Sequence, residues 1–230
     1  MKELKIGDLI AKVPIVQGGM GVGVSLSGLA SAVANAGGVG VISAAGLGVI
    51  YNNFSKDFNE ACIHGLKQEL KKAREATKGI IGVNIMVAMT NFADMVRTAI
   101  SEGVDIIFSG AGLPLNLPSF LTEGAKTKLV PIVSSARAAK LICEKWFKEY
   151  SYVPDAVVVE GYVQATQSWW DNKITVYLQD TDGAYFLYEM ACTEADAAKL
   201  VPGTKIKVTG VKGAWAGEIE VMNATFEFVN

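Results

Sequence analysis

Sulfur and imidazole are scarce in this chain. Three cysteines, Cys62, Cys143 and Cys192, are spread over 230 residues, with no CxxC pair and an odd count. A disulfide framework or a zinc site is therefore not expected, and buried reduced thiols are the default. The single histidine, His64, falls in a stretch that reads as a helix and is expected as a surface or packing residue. An excess of either charge is also missing: 21 Lys and Arg stand against 23 Asp and Glu. Nothing in that balance calls for nucleic acid. No apolar run is long enough for a membrane span. The opening MKELKIGDLIAK is too charged, and its apolar run too short, for a signal peptide. A cytoplasmic location with no membrane partner and no metal is the expectation. What the chain does have is apolar matter, half of its residues, enough for a real core in one large domain or two small ones.

The stretch PIVQGGMGVG, residues 14–23, organises the rest. Residues 13–16 form a short apolar run of strand length. It ends in Gly18-Gly19-Met20-Gly21, where backbone can approach a ligand with few side chains in the way. A helix is expected over 25–35, with Leu26, Leu29 and Val33 at helical spacing and Gly37-Gly38 as its stop. Residues 39–42 are the next strand. This is a βαβ unit with its first loop at the carboxyl end of a strand, where α/β folds place ligands. A tight turn with no ligand is the plainer alternative.

The alternation continues. A Gly, Ala and Asn-rich loop is expected over 43–55 and a polar helix over 56–77, with Phe58, Cys62, Leu66 and Leu70 on one stripe. Strands follow at 80–87, 104–108, 129–133 and 156–159. Helices are expected over 92–102, 118–124 and 135–150. A second glycine loop, Ser109-Gly110-Ala111-Gly112, follows the fourth strand. Short β-branched runs buried on both faces fit a parallel sheet wrapped in helices. About six such units point to a partial (β/α)8 TIM-type barrel; a full one typically needs about 250 residues.

The texture changes after Gly161. Residues 162–166, 174–180 and 184–190 are strand-like, aromatic and partly alternating, and Asp182-Gly183 is a hairpin signal. Thr193 reads as the N-cap of a short helix, with Asp196 three residues on and Pro202-Gly203 beyond. Two more strands are expected at 205–210 and 218–229. Three strands, a helix and two strands is the order of a small all-β OB-like barrel. Its first strand would be 157–166, so 157–160 is claimed by both patterns. The expected domains are 1–160 and 161–230.

Several segments together resemble the nitronate monooxygenase family, once called 2-nitropropane dioxygenases, and its flavin-dependent enoyl-ACP reductase relatives. They are residues 14–48, GVNIMV at 82–87, FSGAGLP at 108–114, VPIVSSARAAK at 130–140 and PDAVVVEG at 154–161. The resemblance implies a TIM barrel that holds FMN over its carboxyl-end loops and acts on a small-molecule substrate. By motif position, Gly19, Met20 and Gly21 would lie against the flavin, Asn84 would hydrogen-bond it, and Ser109 and Gly110 would line the same mouth. The residues themselves leave alternatives open. Asn84 also reads as satisfying a neighbouring strand's backbone, Met20 as core filler, and Ser109-Gly110 as a turn.

The chain departs from the family after its sixth strand. There the family carries a glycine-rich stretch with the active-site histidine, and later loops hold the flavin phosphate. Here Glu160-Gly161 leads into Tyr162-Val163-Gln164. The general base and the phosphate clamp are thus missing from this chain, no residue is assigned as catalytic, and FMN binding is expected to be weak or lost. The tail, YVQATQSWWDNKITVYLQDTDGAYFLYEM, resembles small OB-like domains of bacterial secreted or lipoprotein-type chains. Trp169, Trp170, Tyr177, Tyr185, Tyr188 and Trp215 read either as a stacking face for a sugar, base or peptide or as barrel core and hairpin tips. Lys173, Lys205, Lys207 and Lys212 are too balanced by acids to suggest nucleic acid. The expectation is a composite chain, its open barrel edges covered by the tail or by a second copy.

Overall fold

Apolar runs become strands here where neighbours cover both faces. The computed structural model describes residues 3–179, 184–215 and 218–229. The protein is mixed α/β. It divides into two compact units, one of Ala11–Val130, the other of Met1–Ile10 with Pro131–Asn230.

In the first unit, β3 (Val39–Ser43), β4 (Ile80–Met86) and β5 (Ile106–Gly110) run parallel in the order β3-β4-β5. Val41, Ile81, Val83, Ile106 and Ile107 are buried, as strands covered on both faces require. The expected strand at 13–16 shrinks to one parallel bridge, Val16 to Val39. The Gln17 side chain explains how the chain leaves the sheet without orphaning its neighbour. Its amide nitrogen donates to the Val41 carbonyl (3.0 Å) and its oxygen accepts from the Val41 N–H (3.3 Å). A side-chain amide thus replaces one rung of the ladder.

Helix α1 (Ser27–Asn35) starts two residues later than expected, because Ser25 is used by the loop before it. It also buries a different face. Ala30 and Ala34 turn inward, whereas Leu29 is 41% exposed. Gly40 on β3 is the reason: any Cβ there would run into the Ala30 carbonyl, so α1 lies backbone-close on the sheet with its small residues. The expected 43–55 loop contains one helical turn, α2 (Leu47–Ile50). Helix α3 (Phe58–Ala76) is capped by Asp57, whose side chain accepts from the Glu60 N–H. Cys62, Leu66 and Leu70 are buried along it, but Phe58 at its first turn is exposed. Helix α4 (Phe92–Ser101) precedes β5, and the expected helix at 118–124 is a 3-10 turn at Leu117–Phe120.

The second unit changes strand logic along a single strand. β6 (Lys128–Val133) contributes its last residues, and α5 (Ala136–Tyr150) follows with Ser135 accepting from the Ala138 N–H as N-cap. β7 (Val157–Thr166) then pairs parallel with β6 at Ile132↔Val158 and Val133↔Val159. Further along, from Tyr162, it pairs antiparallel with β8 (Lys173–Gln179). β8 pairs antiparallel with β9 (Ala184–Ala191). β9 meets β11 (Glu218–Phe228) in a parallel bridge, and β11 pairs antiparallel with β10 (Lys205–Trp215). β10 returns antiparallel to β7, from Lys205↔Tyr162 to Gly210↔Val157. Five strands therefore close in the cycle β7-β8-β9-β11-β10-β7, with no break at residue 160. Ile174, Val176, Leu178, Leu187, Ile206 and Val208 are among its buried residues. Between β9 and β10 lies the four-residue helix α6 (Glu194–Ala197), capped by Thr193. Near the N-terminus, β1 (Leu4–Ile6) and β2 (Leu9–Ala11) form a ribbon, and β1 packs on β10 and β11. The expected Asp182-Gly183 turn lies outside the described residues.

Candidate functional site

Ser25 builds the glycine loop from behind. Its hydroxyl accepts from the Met20 N–H (3.0 Å) and from the Gln17 amide (3.1 Å), and donates to the Gly18 carbonyl (3.1 Å). Its N–H donates to the Met20 carbonyl, closing a compact turn. The loop is held at its side by the Val22 N–H, which donates 2.9 Å to the Ala45 carbonyl. Val22 has a φ of +51°, a left-handed conformation that β-branched residues rarely adopt. Such backbone persists only where the surroundings over-determine it, and two anchors do so here.

Within this loop the N–H groups of Gly19 and Gly21 have no acceptor among the described residues. Met20 is 50% exposed, so it is not core filler. Asn84, on β4, lies against Gly19. A Cβ at position 19 would fall 2.9 Å from the Asn84 carboxamide carbon and nitrogen, and closer still to its Cβ. The half-buried Asn84 amide has no hydrogen-bond partner among the described residues. Its backbone carbonyl accepts from the Ala44 N–H (3.0 Å), so the backbone and not the side chain serves the neighbouring segment. The side-chain amide does not satisfy a neighbouring strand.

Register then sorts the remaining candidates. Asn84 is level with Ser43 and with Phe108, and Met86 with Gly110. Side chains alternate along strands, so Gly110 falls on the Asn84 face and Ser109, level with Ile85, on the opposite one. The Ser109 hydroxyl is buried and unpartnered there. Gly19 and Asn84 are thus brought together, Gly110 shares Asn84's face, and Ser109 does not. Gln17 and Ser25 were missed by sequence reasoning. Polar residues flanking a glycine run in an otherwise apolar segment were the available signal.

A second polar cluster lies behind the loop. Glu69 of α3 is 2% exposed. Its carboxylate accepts from the Ser27 N–H (2.7 Å), which starts α1, from the Tyr51 hydroxyl just after α2, and from Lys72 Nζ (2.9 Å). Burial alone would push the Glu69 carboxyl up, but the hydrogen bonds from Ser27, Tyr51 and Lys72 outweigh it and hold it at about 2. Hydrogen bonds to Tyr51 and Glu69 raise Lys72 above the usual lysine range, and burial followed by Glu69 raises Tyr51. His64 stacks on Phe54 with ring centroids 3.6 Å apart and meets Tyr51 edge-on. It packs, as its place in a helix suggested.

The aromatic residues of the second unit separate into roles. Tyr185 is buried. Trp169 donates its indole N–H to the Cys192 carbonyl (2.8 Å) and is part of the framework. Trp170 is 72% exposed at the turn into β8. Tyr177, Phe186 and Tyr188 form a run of touching rings, with centroids 5.2 and 5.9 Å apart, and both tyrosines are exposed. The side chain of Trp215 lies outside the described residues. Among the described residues no group of three or more His, Cys, Asp or Glu is placed to hold a metal, and no helix is long and apolar enough to cross a membrane.

Comparison with known proteins gives one family. The sequence model of nitronate monooxygenase matches residues 2–165. Among solved structures, FabK from Thermotoga maritima is 29% identical with a TM-score of 0.45, over 57% of this chain and 37% of that one. A nitroalkane oxidase from Streptomyces ansochromogenes is 20% identical with a TM-score of 0.46, over 61% of this chain and 44% of that one. The S. pombe Stn1-Ten1 complex matches at 20% identity and a TM-score of 0.26, over 32% of this chain and 57% of that one. The chain therefore spans less than half the length of the first two. No curated protein matches it.

Proposed function

The chain belongs to the nitronate monooxygenase family, and on that premise we propose that its 11–130 unit seats the ring system of FMN between the glycine loop and Asn84. One observation carries this reading. Two loop N–H groups and a side-chain amide, all without partners among the described residues, gather at the carboxyl end of parallel strands. Donors so placed suit the polar edge of a planar, electron-accepting ring. Gly19 and Gly21 would donate to it, Asn84 would fix its orientation, and the exposed Met20 thioether would cover its apolar face. Bound FMN would supply the redox chemistry, and these residues would hold and orient it. The residues present fit the ring half of the cofactor.

The proposal includes impairment. In place of the family's histidine-bearing stretch, β7 runs on into an antiparallel partner. The chain's one histidine packs on Phe54. Loss of a general base commonly costs about 10²–10⁴ in rate. A flavin binder with slow turnover of a nitronate-type small molecule is therefore proposed, on a partial TIM-type barrel with an OB-like barrel after about residue 160. The closed order of β7 to β11 supports the OB-like part. Pairing of two copies across an open barrel edge and a cytoplasmic location belong to the same proposal. An absorption spectrum of the purified protein with and without FMN tests it. Flavin bands that shift on denaturation are expected; a protein that stays colourless in excess FMN rejects the reading.

A second reading has one observation of its own. The Tyr177, Phe186 and Tyr188 rings are contiguous, with both tyrosines exposed and Phe186 half-buried between them. They would make the second unit a ligand-binding module on a catalytically silent scaffold. Replacing Tyr177 and Tyr188 by Ala tests it better than replacing Trp169, whose indole holds the Cys192 carbonyl.

A further inference from the structure

Two arms hold the glycine loop, and they converge on one buried carboxylate. The first arm runs from Glu69 to the Ser27 N–H, then two residues back to Ser25, whose hydroxyl grips Met20, Gly18 and Gln17. The second runs from Glu69 through the Tyr51 hydroxyl to α2, and from there to Ala45, whose carbonyl takes the Val22 N–H. Ala45 also lies beside Gly21, and Gly46 against Val22. Lys72 meets both the carboxylate and the tyrosine hydroxyl, so the junction carries a compensating charge.

We propose that Glu69, with Tyr51 and Lys72, is the positioning residue that locks the glycine loop in its strained, ligand-facing conformation. Three features support this. Helix α1 has no side-chain cap of its own, and Glu69 of another helix satisfies its Ser27 N–H. A buried carboxylate is expensive unless every oxygen is used, and here both are. Finally, the positive φ of Val22 requires anchors on both sides of the loop. The carboxylate also fills the α1 N-terminus, so an outside anion finds that end of the helix already occupied. The link from loop geometry to FMN rests on the reading of the previous subsection; the lock itself does not.

Amide hydrogen exchange on the protein without added flavin tests the lock directly. Glu69→Ala removes both arms, and exchange at Met20, Val22 and Ser27 is expected to quicken at least tenfold. The amides of Val83 and Ile107 in the sheet should keep their protection. Tyr51→Phe, a milder variant for use if Glu69→Ala does not fold, removes one arm. It should quicken Val22 and leave Met20 unchanged. Uniform acceleration through the sheet in either variant would make the cluster a general stabiliser and overturn the proposal, as would unchanged exchange in the loop. FMN titration is the second arm of the experiment. If the unaltered protein binds FMN, Glu69→Ala should weaken it at least tenfold, and equal affinity overturns the positioning role toward flavin. If the unaltered protein binds none, the flavin reading fails while the exchange result still decides the lock.

Discussion

The 11–130 unit and the β7–β11 ring handle polar groups in opposite ways. In the first, β3 to β5 are buried on both faces, so polar chemistry is pushed to strand ends and loops. There Gln17 and Ser25 each satisfy two backbone groups with their side chains, Glu69 accepts from the Ser27 N–H and two side chains, and Gly19, Gly21 and Asn84 keep donors with no acceptor among the described residues. In the ring, strands are wet on one side. Exposed Tyr177 and Tyr188 and the Lys173–Glu189 ion pair (2.8 Å) stand on the strands themselves. A ligand site in the first unit therefore depends on loop geometry, whereas one in the ring would depend on a strand face. Single substitutions should hit the two very differently.

The sharpest break is Gly19→Val. Any Cβ at this position displaces Asn84, and a valine adds two methyls. Overpacking typically costs about 1–3 kcal/mol, which taken from ligand binding is roughly a 5–150-fold loss of FMN affinity. Titration by flavin absorbance or quenching measures it. The urea midpoint, followed by circular dichroism, separates a local loss of flavin affinity from general unfolding. Undiminished FMN binding would mean that the flavin does not rest on the Gly19–Asn84 contact.

Acid sharpens the contrast next. The folded carboxyl of Glu69 is held at about 2, below its ordinary 4.5. The stability it contributes is complete above about pH 4.5 and fades as pH falls toward 2, because the unfolded chain takes up the proton first. The full amount is about 3 kcal/mol. Glu69→Gln should be less stable at pH 6 by a sizeable part of this and should lose less between pH 5 and pH 3. Urea midpoints by circular dichroism at the three pH values check the sign. Parallel acid dependence in both proteins would show that Glu69 is not the titrating group.

Much of this was legible in the sequence. The parallel strands at β3, β4 and β5 follow from β-branched runs too apolar for one-sided burial, and the change of texture past Gly161 follows from alternation. Thr193 and its Asp196 declared the α6 cap. Local pattern failed where tertiary contact decided. Residues 13–16 look like a strand, yet only the bridge at Val16 to Val39 forms, and past it the Gln17 side chain takes over the next rung at Val41. Leu26, Leu29 and Val33 suggested the inner face of α1, but close approach at Gly40 selected Ala30 and Ala34. Asn84 was readable as an odd amide in an apolar run. Ser109 was grouped with it by proximity in the motif, and strand alternation put it on the other face. Glu69 was invisible, because in a polar helix nothing distinguishes the one glutamate that turns inward.

A smaller effect is expected at Thr193→Ala in the ring. The hydroxyl accepts from the Asp196 N–H (3.2 Å), and losing such a cap costs about 1 kcal/mol. Trp169, bonded to the adjacent Cys192, should report the shift by fluorescence, while exchange at Met20 and Val22 stays fixed.

The smallest effect isolates burial as the variable. Lys145 and Glu149 of α5 form an ion pair at helical spacing, as Glu69 and Lys72 do on α3. Both members of the α5 pair are solvent-accessible, whereas Glu69 is not. Exposed pairs at this spacing contribute about 0.3–0.5 kcal/mol, and Lys preceding Glu is the weaker orientation against the helix dipole. Glu149→Gln should therefore move the urea midpoint by less than the scatter between replicate melts, with little change between pH 5 and pH 3. A loss as large as that of Glu69→Gln would mean that charge pairing itself, rather than burial of the carboxylate, sets the size of such an effect.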